Sequence, residues 1–287
     1  MKTILVTGAN GQLGRSLQSA LPLPEKSNYL FSDADTLDIC DKDALLSFAR
    51  ANNVGYIVNF AAYTAVDDAE SNQILCFRVN SEAVRNLGET AAALGIKIIH
   101  ISTDYVFDGS KSTPYEETDY TCPTSTYGRS KEMGEIVLRS VCSEALIIRT
   151  AWLYSEFGTN FARTILRLSG EQEEIPVVAD QIGAPTYAGD LAQAILAIIR
   201  SAQAGVFHPG IFHYSNEGVC SWYDFARKIC KLLHLPARVV PIETKDYPTR
   251  AARPPYSVLN KRKIKQTYGL AIPHWEESLE KMLHKIR

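Results

Sequence analysis

Residues 3–7 form a short apolar run, TILVT, followed at once by glycines at positions 8, 11 and 14 and then by QLGRSLQSAL, whose apolar residues recur at helical spacing. A continuous apolar run of this length is the pattern of a strand buried on both faces. Gly8 permits a tight turn out of that strand, Gly11 lets the backbone approach a pyrophosphate, and Gly14 allows the helix to lie close on the sheet. The free N–H groups at the start of the helix then favour a phosphate charge. In this setting the turn reads as a dinucleotide site rather than as a glycine-rich bend needed for geometry alone. An acid, Asp33, follows the second strand 19 residues beyond Gly14, where a ribose hydroxyl would bind. Its carboxylate repels a 2′-phosphate and so argues for NADH; NADPH is accommodated if the acid turns toward solvent.

The rest of the first half keeps the same rhythm. YLFS (29–32), YIVNFAA (56–62), IKIIHIS (96–102) and ALIIRT (145–150) read as further strands. Between them lie KDALLSFARAN (42–52), a long segment 72–94 with Leu75, Val79, Val84 and Leu87 at helical intervals, and a helix beginning near residue 126. Strands separated by helices of ten or more residues imply crossover connections, hence an α/β fold with a Rossmann-like, doubly wound parallel sheet. Beyond residue 150 the rhythm loosens. Helices are expected over 160–170, 190–202 and 221–233, with proline-bearing segments HPGIFHYSN and YPTRAARPPYS between and after them. We therefore expect residues 1–150 to form a dinucleotide-binding domain and 151–287 to form mainly a smaller, partly intercalated C-terminal substrate lobe, interwoven with the first.

Charge and cysteine usage exclude several classes. Thirty basic against thirty-two acidic residues leave a net charge of −2, with no global pull toward nucleic acid or anionic lipid. The six cysteines show no CxxC or Cys/His ligand spacing, so reduced, buried thiols are expected rather than disulfides or zinc. The opening apolar run is too short for a signal peptide, and no stretch approaches membrane-spanning length. The expected location is the cytoplasm.

HISTDYVFDG (100–109) closes the fourth strand with Ser102 and Thr103 at the carboxyl edge of the sheet, the edge where open α/β folds bind ligands. STYGRSK (125–131) then starts a helix with Tyr127 and Lys131 four places apart, one turn apart on one face. Alone, such a pair is an ordinary solvated face. With the glycine turn and Thr103 in the same chain it reads as catalytic. A hydride arriving at a carbonyl carbon leaves an alkoxide that must be protonated, and a phenol of pKa about 10 is a reluctant base for the reverse reaction. A neighbouring ammonium stabilises the phenolate; a shift of about three units corresponds to roughly 4 kcal/mol. Lys131 can supply part of that while binding the nicotinamide ribose. Thr103 can donate a hydrogen bond to the substrate oxygen, where charge develops.

The GxxGxxG spacing and the Thr–Tyr–Lys set resemble the extended short-chain dehydrogenase/reductase family, whose members mostly act on nucleotide sugars. VNFAAYTAVDDAES (58–71), STDYVFDG (102–109), YGRSK (127–131), RTAWLYSEFGTNFARTIL (149–166) and DQIGAPTYAGDLA (180–192) resemble its branch that reduces the C4 ketone of a dTDP-linked sugar. By that resemblance Asn10, Gly11, Gln12 and Leu13 contact the cofactor phosphates, while Asp33, Asp38 and Ile39 line the adenosine end. Ala61, Ala62 and Tyr63 follow along the cofactor. Thr103, Asp104, Tyr127 and Trp152 face the sugar, and Asn160 reaches the nucleotide diphosphate. The implied reaction is hydride transfer from NADPH or NADH to C4 of dTDP-4-dehydro-β-L-rhamnose, with Tyr127 as proton donor. For Trp152 the sugar contact is favoured over lobe packing; Asp180 and Gln181 either form a turn or touch substrate, and Arg250 and Arg253 either clamp a diphosphate or line the surface.

Neighbouring activities separate on single residues. Nucleotide-sugar 4,6-dehydratases carry an Asp–Glu pair after the active-site Thr; here the run is Thr103–Asp104–Tyr105, which favours simple reduction. A 4-epimerase is excluded less firmly, and a non-catalytic, reductase-like regulatory subunit is disfavoured by the intact Thr103, Tyr127 and Lys131. Some family members bind magnesium at a dimer contact through a glutamate just after the third glycine. Here Ser16 stands at that place, preceded by Arg15, a poor donor set for magnesium. The expectation is activity without a metal, in a monomer or weak homodimer.

Overall fold

The structure, a computed structural model, describes residues 2–286. Six strands form one wholly parallel sheet: β1 (Thr3–Thr7), β2 (Tyr29–Ser32), β3 (Val54–Asn59), β4 (Lys97–Thr103), β5 (Ala145–Thr150) and β6 (Gly210–His213), in the order β6-β5-β4-β3-β1-β2. The longer helices are α1 (Gln12–Ala20), α2 (Lys42–Ala51), α3 (Ala83–Leu94), α4 (Thr126–Val141), α5 (Phe161–Glu171), α6 (Ala188–Gln203), α7 (Trp222–Leu233) and α8 (Trp275–His284).

Strand periodicity divides the sheet's side chains between two cores. Ile4 and Val6 of β1 face one side with Val58, Ile99, Leu146, Ile148 and Phe212, where Leu13 and Leu17 of α1 and Leu191 and Ile195 of α6 cover them. Leu5 faces the other side with Ile57, Ile98 and Ile147, under Leu45 of α2, Val84 and Leu87 of α3 and Leu138 of α4. Burial on both faces is why these strands read as unbroken apolar runs. The chain leaves β1 toward β2 on one side and returns to β3 on the other. That reversal opens a crevice at the carboxyl ends of β1 and β3.

Two elements differ from the sequence reading. HPGIFHYSN holds β6, which pairs in parallel with β5 through Gly210↔Leu146 to His213↔Arg149 and completes the sheet edge. Together with α6, it places residues from beyond position 150 inside the first layer system. The segment 72–94 is helical from residue 73 on, but not uniformly α. A helical turn at Gln73–Phe77 runs into a π-helical stretch, Arg78–Glu82, before α3 begins. There the Asn80 side chain accepts from Tyr63 N at 2.8 Å and donates to Tyr63 O at 3.0 Å, fixing the loop after β3. Leu75, which the helical spacing placed on an apolar face, is 49% exposed.

The second lobe has its own core, in which Ile175 and Val177 pack with Phe225 and Ile229 of α7 and Trp275, Leu279 and Met282 of α8. A parallel strand pair, Glu174–Val178 with Arg238–Ile242, forms one of its small sheets. Ser221 and Asp224 make a reciprocal capping box that starts α7. Among the described residues no helix is long and apolar enough to cross a membrane.

Candidate active site

The crevice deepens into a cavity of about 780 Å³ running from the glycine turn, past the ends of β3 and β4, to the second lobe. Gly8, Asn10, Gly11, Gln12 and Leu13 line one end, with Asp33, Asp38 and Ile39 beside them and Ala61 and Ala62 further along. Gly8 has φ +68°, and a Cβ there would stand 2.5 Å from Ala61 N, so the turn and the post-β3 loop approach as closely as they do only because position 8 has no side chain. Asn10 N donates to Asp33 Oδ2 and Ala34 N to Asp33 Oδ1, both at 2.9 Å, which folds the acid against the turn. Tyr63 does not line the cavity; its backbone is held by Asn80. A cradle of backbone amides at the start of α1, with an acid at the end of β2, fits a dinucleotide.

Thr103, Asp104, Tyr127 and Lys131 converge midway along the cavity. Ser125 caps α4 by accepting from Gly128 N at 3.1 Å. A Cβ at Gly128 would collide with the Tyr105 carbonyl, so this glycine lets α4 press on the turn after β4 and brings Tyr127 beside Thr103. Thr103 Oγ1 donates to Asp104 Oδ1 at 3.1 Å. Asp104 is buried, its Oδ2 has no protein partner, and burial lifts its carboxyl to about 6. Lys131 is 2% exposed; its Nζ donates to Ile101 O at 2.7 Å, and burial brings it down to about 8 against the opposing pull of Glu135.

Lys131 is not among the groups that shift the Tyr127 phenol, so the expected lowering does not occur. Burial pushes the phenol up, and the pull downward comes from the neighbouring Thr103 hydroxyl. The physical reason is placement, since the Lys131 ammonium is held on a strand carbonyl. A raised phenol keeps its proton at neutral pH, as a proton donor must.

At the far end, Trp152 lines the cavity with φ +48°, its indole stacked on Trp222 with centroids 3.6 Å apart and planes at 9°. Trp222 also lines the cavity, and the sequence reading missed it: at the start of an amphipathic helix it carried no signal beyond core packing. Asn160 lines the cavity too, but its amide is committed within the protein. It caps α5 by accepting from Arg163 N, and Nδ2 donates to Gln12 Oε1 at 2.9 Å and to Ser155 O at 2.9 Å. Ser155 Oγ donates to the same Gln12 oxygen at 3.0 Å, so the second lobe grips the glycine turn through one side chain.

Asp180 and Gln181 lie away from the cavity and fasten Thr244: Thr244 N donates to Asp180 Oδ1 at 2.9 Å, and Gln181 Nε2 donates to Thr244 Oγ1 at 3.1 Å. Arg253 Nη2 donates to Asp67 Oδ2 at 2.6 Å, and Arg250 lies 3.7 Å from Asp68, which ties the proline-rich loop to the loop after β3. Ser16 is buried in α1 with its hydroxyl unpartnered, so the position that matches the magnesium glutamate faces the interior.

The comparisons agree with this architecture. The family model described as RmlD substrate binding domain matches residues 1–287. The chain is similar to a dTDP-4-dehydrorhamnose reductase of Aggregatibacter actinomycetemcomitans, at 42% identity over 98% of each chain. It is also similar to the structure of a dTDP-4-dehydrorhamnose reductase of Bacillus anthracis in complex with NADP, with a TM-score of 0.94 and 38% identity over 99% of this chain and 100% of that one. The structure of a dTDP-4-dehydrorhamnose reductase from Clostridium acetobutylicum gives a TM-score of 0.93 at 38% identity, covering 100% of this chain and 99% of the other. With relatives this similar along its whole length, the chain belongs to the RmlD substrate binding domain family.

Proposed function

We infer that this protein is a dTDP-4-dehydrorhamnose reductase, which reduces the C4 ketone of dTDP-4-dehydro-β-L-rhamnose to give dTDP-L-rhamnose. The observation that carries this reading is the convergence of Thr103, Tyr127 and Lys131 on the cavity that begins at the glycine turn. Whole-length likeness to reductases of this name supports the substrate. NADPH or NADH, when bound, supplies the hydride.

The residues supply the rest. The amides at the start of α1 bind the pyrophosphate, with Asn10, Gln12 and Leu13 around it, and Asp38 and Ile39 flank the adenosine. Thr103, Asp104, Tyr127 and Trp152 hold the sugar. Tyr127 gives its hydroxyl proton to the ketone oxygen as that oxygen gains charge, and Thr103 turns its one hydroxyl proton from Asp104 to the same atom. Lys131 keeps two ammonium protons for the cleft, since one is spent on Ile101 O. Tyr105 stands where a dehydratase has its second acid, and burial pushes its phenol up, so it offers no carboxylate for an elimination.

The deciding assay supplies enzymatically made dTDP-4-dehydrorhamnose with NADPH or NADH and follows loss of the reduced-nicotinamide absorbance, with the product identified as dTDP-L-rhamnose. Faster turnover of a keto sugar on another nucleotide moves the assignment to that substrate, and no oxidation with any keto sugar removes it. The pH dependence is a second check. Asp104 has a raised pKa and loses its charge as pH falls through about 6, and with it the acceptor that orients Thr103. Lys131 has a lowered pKa and loses its proton as pH rises through about 8. The expected profile of kcat/KM is a bell between those limits; a flat profile into the alkaline range contradicts the role of Lys131.

A further inference from the structure

Behind Lys131 lies a row of buried polar side chains that no step of the reaction uses. Thr7, Asn59 and His100 are cross-strand neighbours at the rim of β1, β3 and β4, paired Thr7↔Asn59 and Asn59↔His100. Asn59 and His100 are wholly buried and Thr7 is 1% exposed. The pairings along this row fix where its protons sit.

The logic starts from a group that can only donate. Ala61 N points at the Asn59 side chain at 3.1 Å, so the atom facing it is the amide oxygen, Oδ1, which also accepts from Thr7 Oγ1 at 2.6 Å. The other end, Nδ2, therefore faces His100 Nδ1 at 2.9 Å. An amide nitrogen only donates, so His100 Nδ1 presents a bare lone pair. The neutral imidazole then carries its proton on Nε2. Burial first, and the Lys131 charge second, hold that ring neutral. His100 Nε2 lies 3.5 Å from Lys131 Nζ. An N–H facing an ammonium is a contact between two donors, not a hydrogen bond.

We propose that His100 is a positioning residue for Lys131, locked by Asn59 in the Nε2–H tautomer so that it refuses the lysine's protons and leaves them for Ile101 O and the cleft. With the opposite tautomer, a bare Nε2 would accept one ammonium proton and turn Lys131 toward the sheet. The other titratable groups acting on Lys131 are Glu135, one turn further along α4, and Cys76, on the helical turn before the π stretch. Both favour the ammonium, and Glu135 is itself engaged by Arg149. His100 is thus the neighbour that sets direction. The proposal rests on the reductase reading only in treating Lys131 as a working group; the tautomer stands apart from any sugar.

The test uses the intact chain, with and without NADH, and no sugar. Long-range proton–nitrogen correlation spectra of the imidazole are expected to show His100 as the neutral Nε2–H form from mildly acidic to alkaline pH. In Asn59→Asp the carboxylate still accepts from Ala61 N and Thr7, but it also accepts from the imidazole, so the spectrum is expected to switch to the Nδ1–H form. Lys131, followed by its 13Cε shift, is then expected to titrate about one pH unit higher, and NADH binding to weaken several-fold. A wild-type His100 that carries its proton on Nδ1, or that titrates as an imidazolium, overturns the proposal whether or not the variant folds. So does a variant in which the tautomer switches while NADH binding stays as it was, because an added carboxylate charge alone would move the lysine titration. Loss of the reductase reading, by contrast, shows only in the sugar assay.

Discussion

Tyr127→Phe is expected to lower kcat by roughly 10²–10⁴-fold, the usual contribution of a positioned proton donor, while leaving cofactor affinity unchanged. The substitution is clean because it removes one oxygen and little else. The Tyr127 ring packs edge-on against Tyr105 with centroids 5.7 Å apart, and a phenylalanine keeps that contact. The helix start is set by the Ser125 cap and by Gly128, neither of which touches the hydroxyl. Thr103 keeps its bond to Asp104. The loss should therefore fall on the chemical step and not on folding or binding, and the split between kcat and the dissociation constant for NADH or NADPH measures it. Near-normal turnover by the phenylalanine variant, with the fold intact by circular dichroism, removes Tyr127 as the donor and with it the proposed mechanism.

The parts of this site that were legible in the sequence are those whose signal is local. A buried strand, a glycine turn and a helix start follow one another within a dozen residues, and each restricts the next. Thr103 was readable because it ends an apolar run, and Tyr127 and Lys131 because a four-residue offset on a helix is a geometric fact. What the sequence hid is tertiary. The four residues of β6 show no strand pattern longer than Ile211–Phe212, and they follow Pro209 directly; they are a strand because β5 needed a neighbour. The π stretch has the same apolar spacing as an α-helix to within one residue, so nothing marked Asn80 as the anchor of the post-β3 loop. Gln12 and Asn160 meet across 148 residues of chain, and neither carries any trace of the other. Asn59 and His100 sit in an apolar-looking run where their polarity becomes informative only once β1, β3 and β4 lie side by side.

The largest expected effect on stability comes from the ion pair one turn beyond Lys131. Arg149 donates from Nε to Glu135 Oε1 at 2.9 Å and from Nη2 to Oε2 at 2.6 Å, and the side chains are 3% and 4% exposed. Ser102 Oγ donates to the same carboxylate at 2.5 Å. Arg149→Met leaves Glu135 charged, buried and held by one hydroxyl, which costs about 3–5 kcal/mol and a fall in Tm on the order of 10 °C. Against an apolar background, the pair itself contributes much less than that, because both ions give up their hydration to make it. The double variant Arg149→Met with Glu135→Gln removes both charges and keeps an acceptor for Ser102, so it should recover most of the lost stability. A double-mutant cycle by chemical denaturation measures the difference. If the double variant is as unstable as the two single losses added together, the pair acts through packing against Phe107, whose ring lies 5.0 Å from the guanidinium, and not through charge. Recovery in the double variant would also isolate the influence of Glu135 on its helix neighbour. With the carboxylate charge gone, Lys131 loses the first of the groups that favour its ammonium, and the alkaline limb of the activity profile should move to lower pH in a protein whose fold is intact.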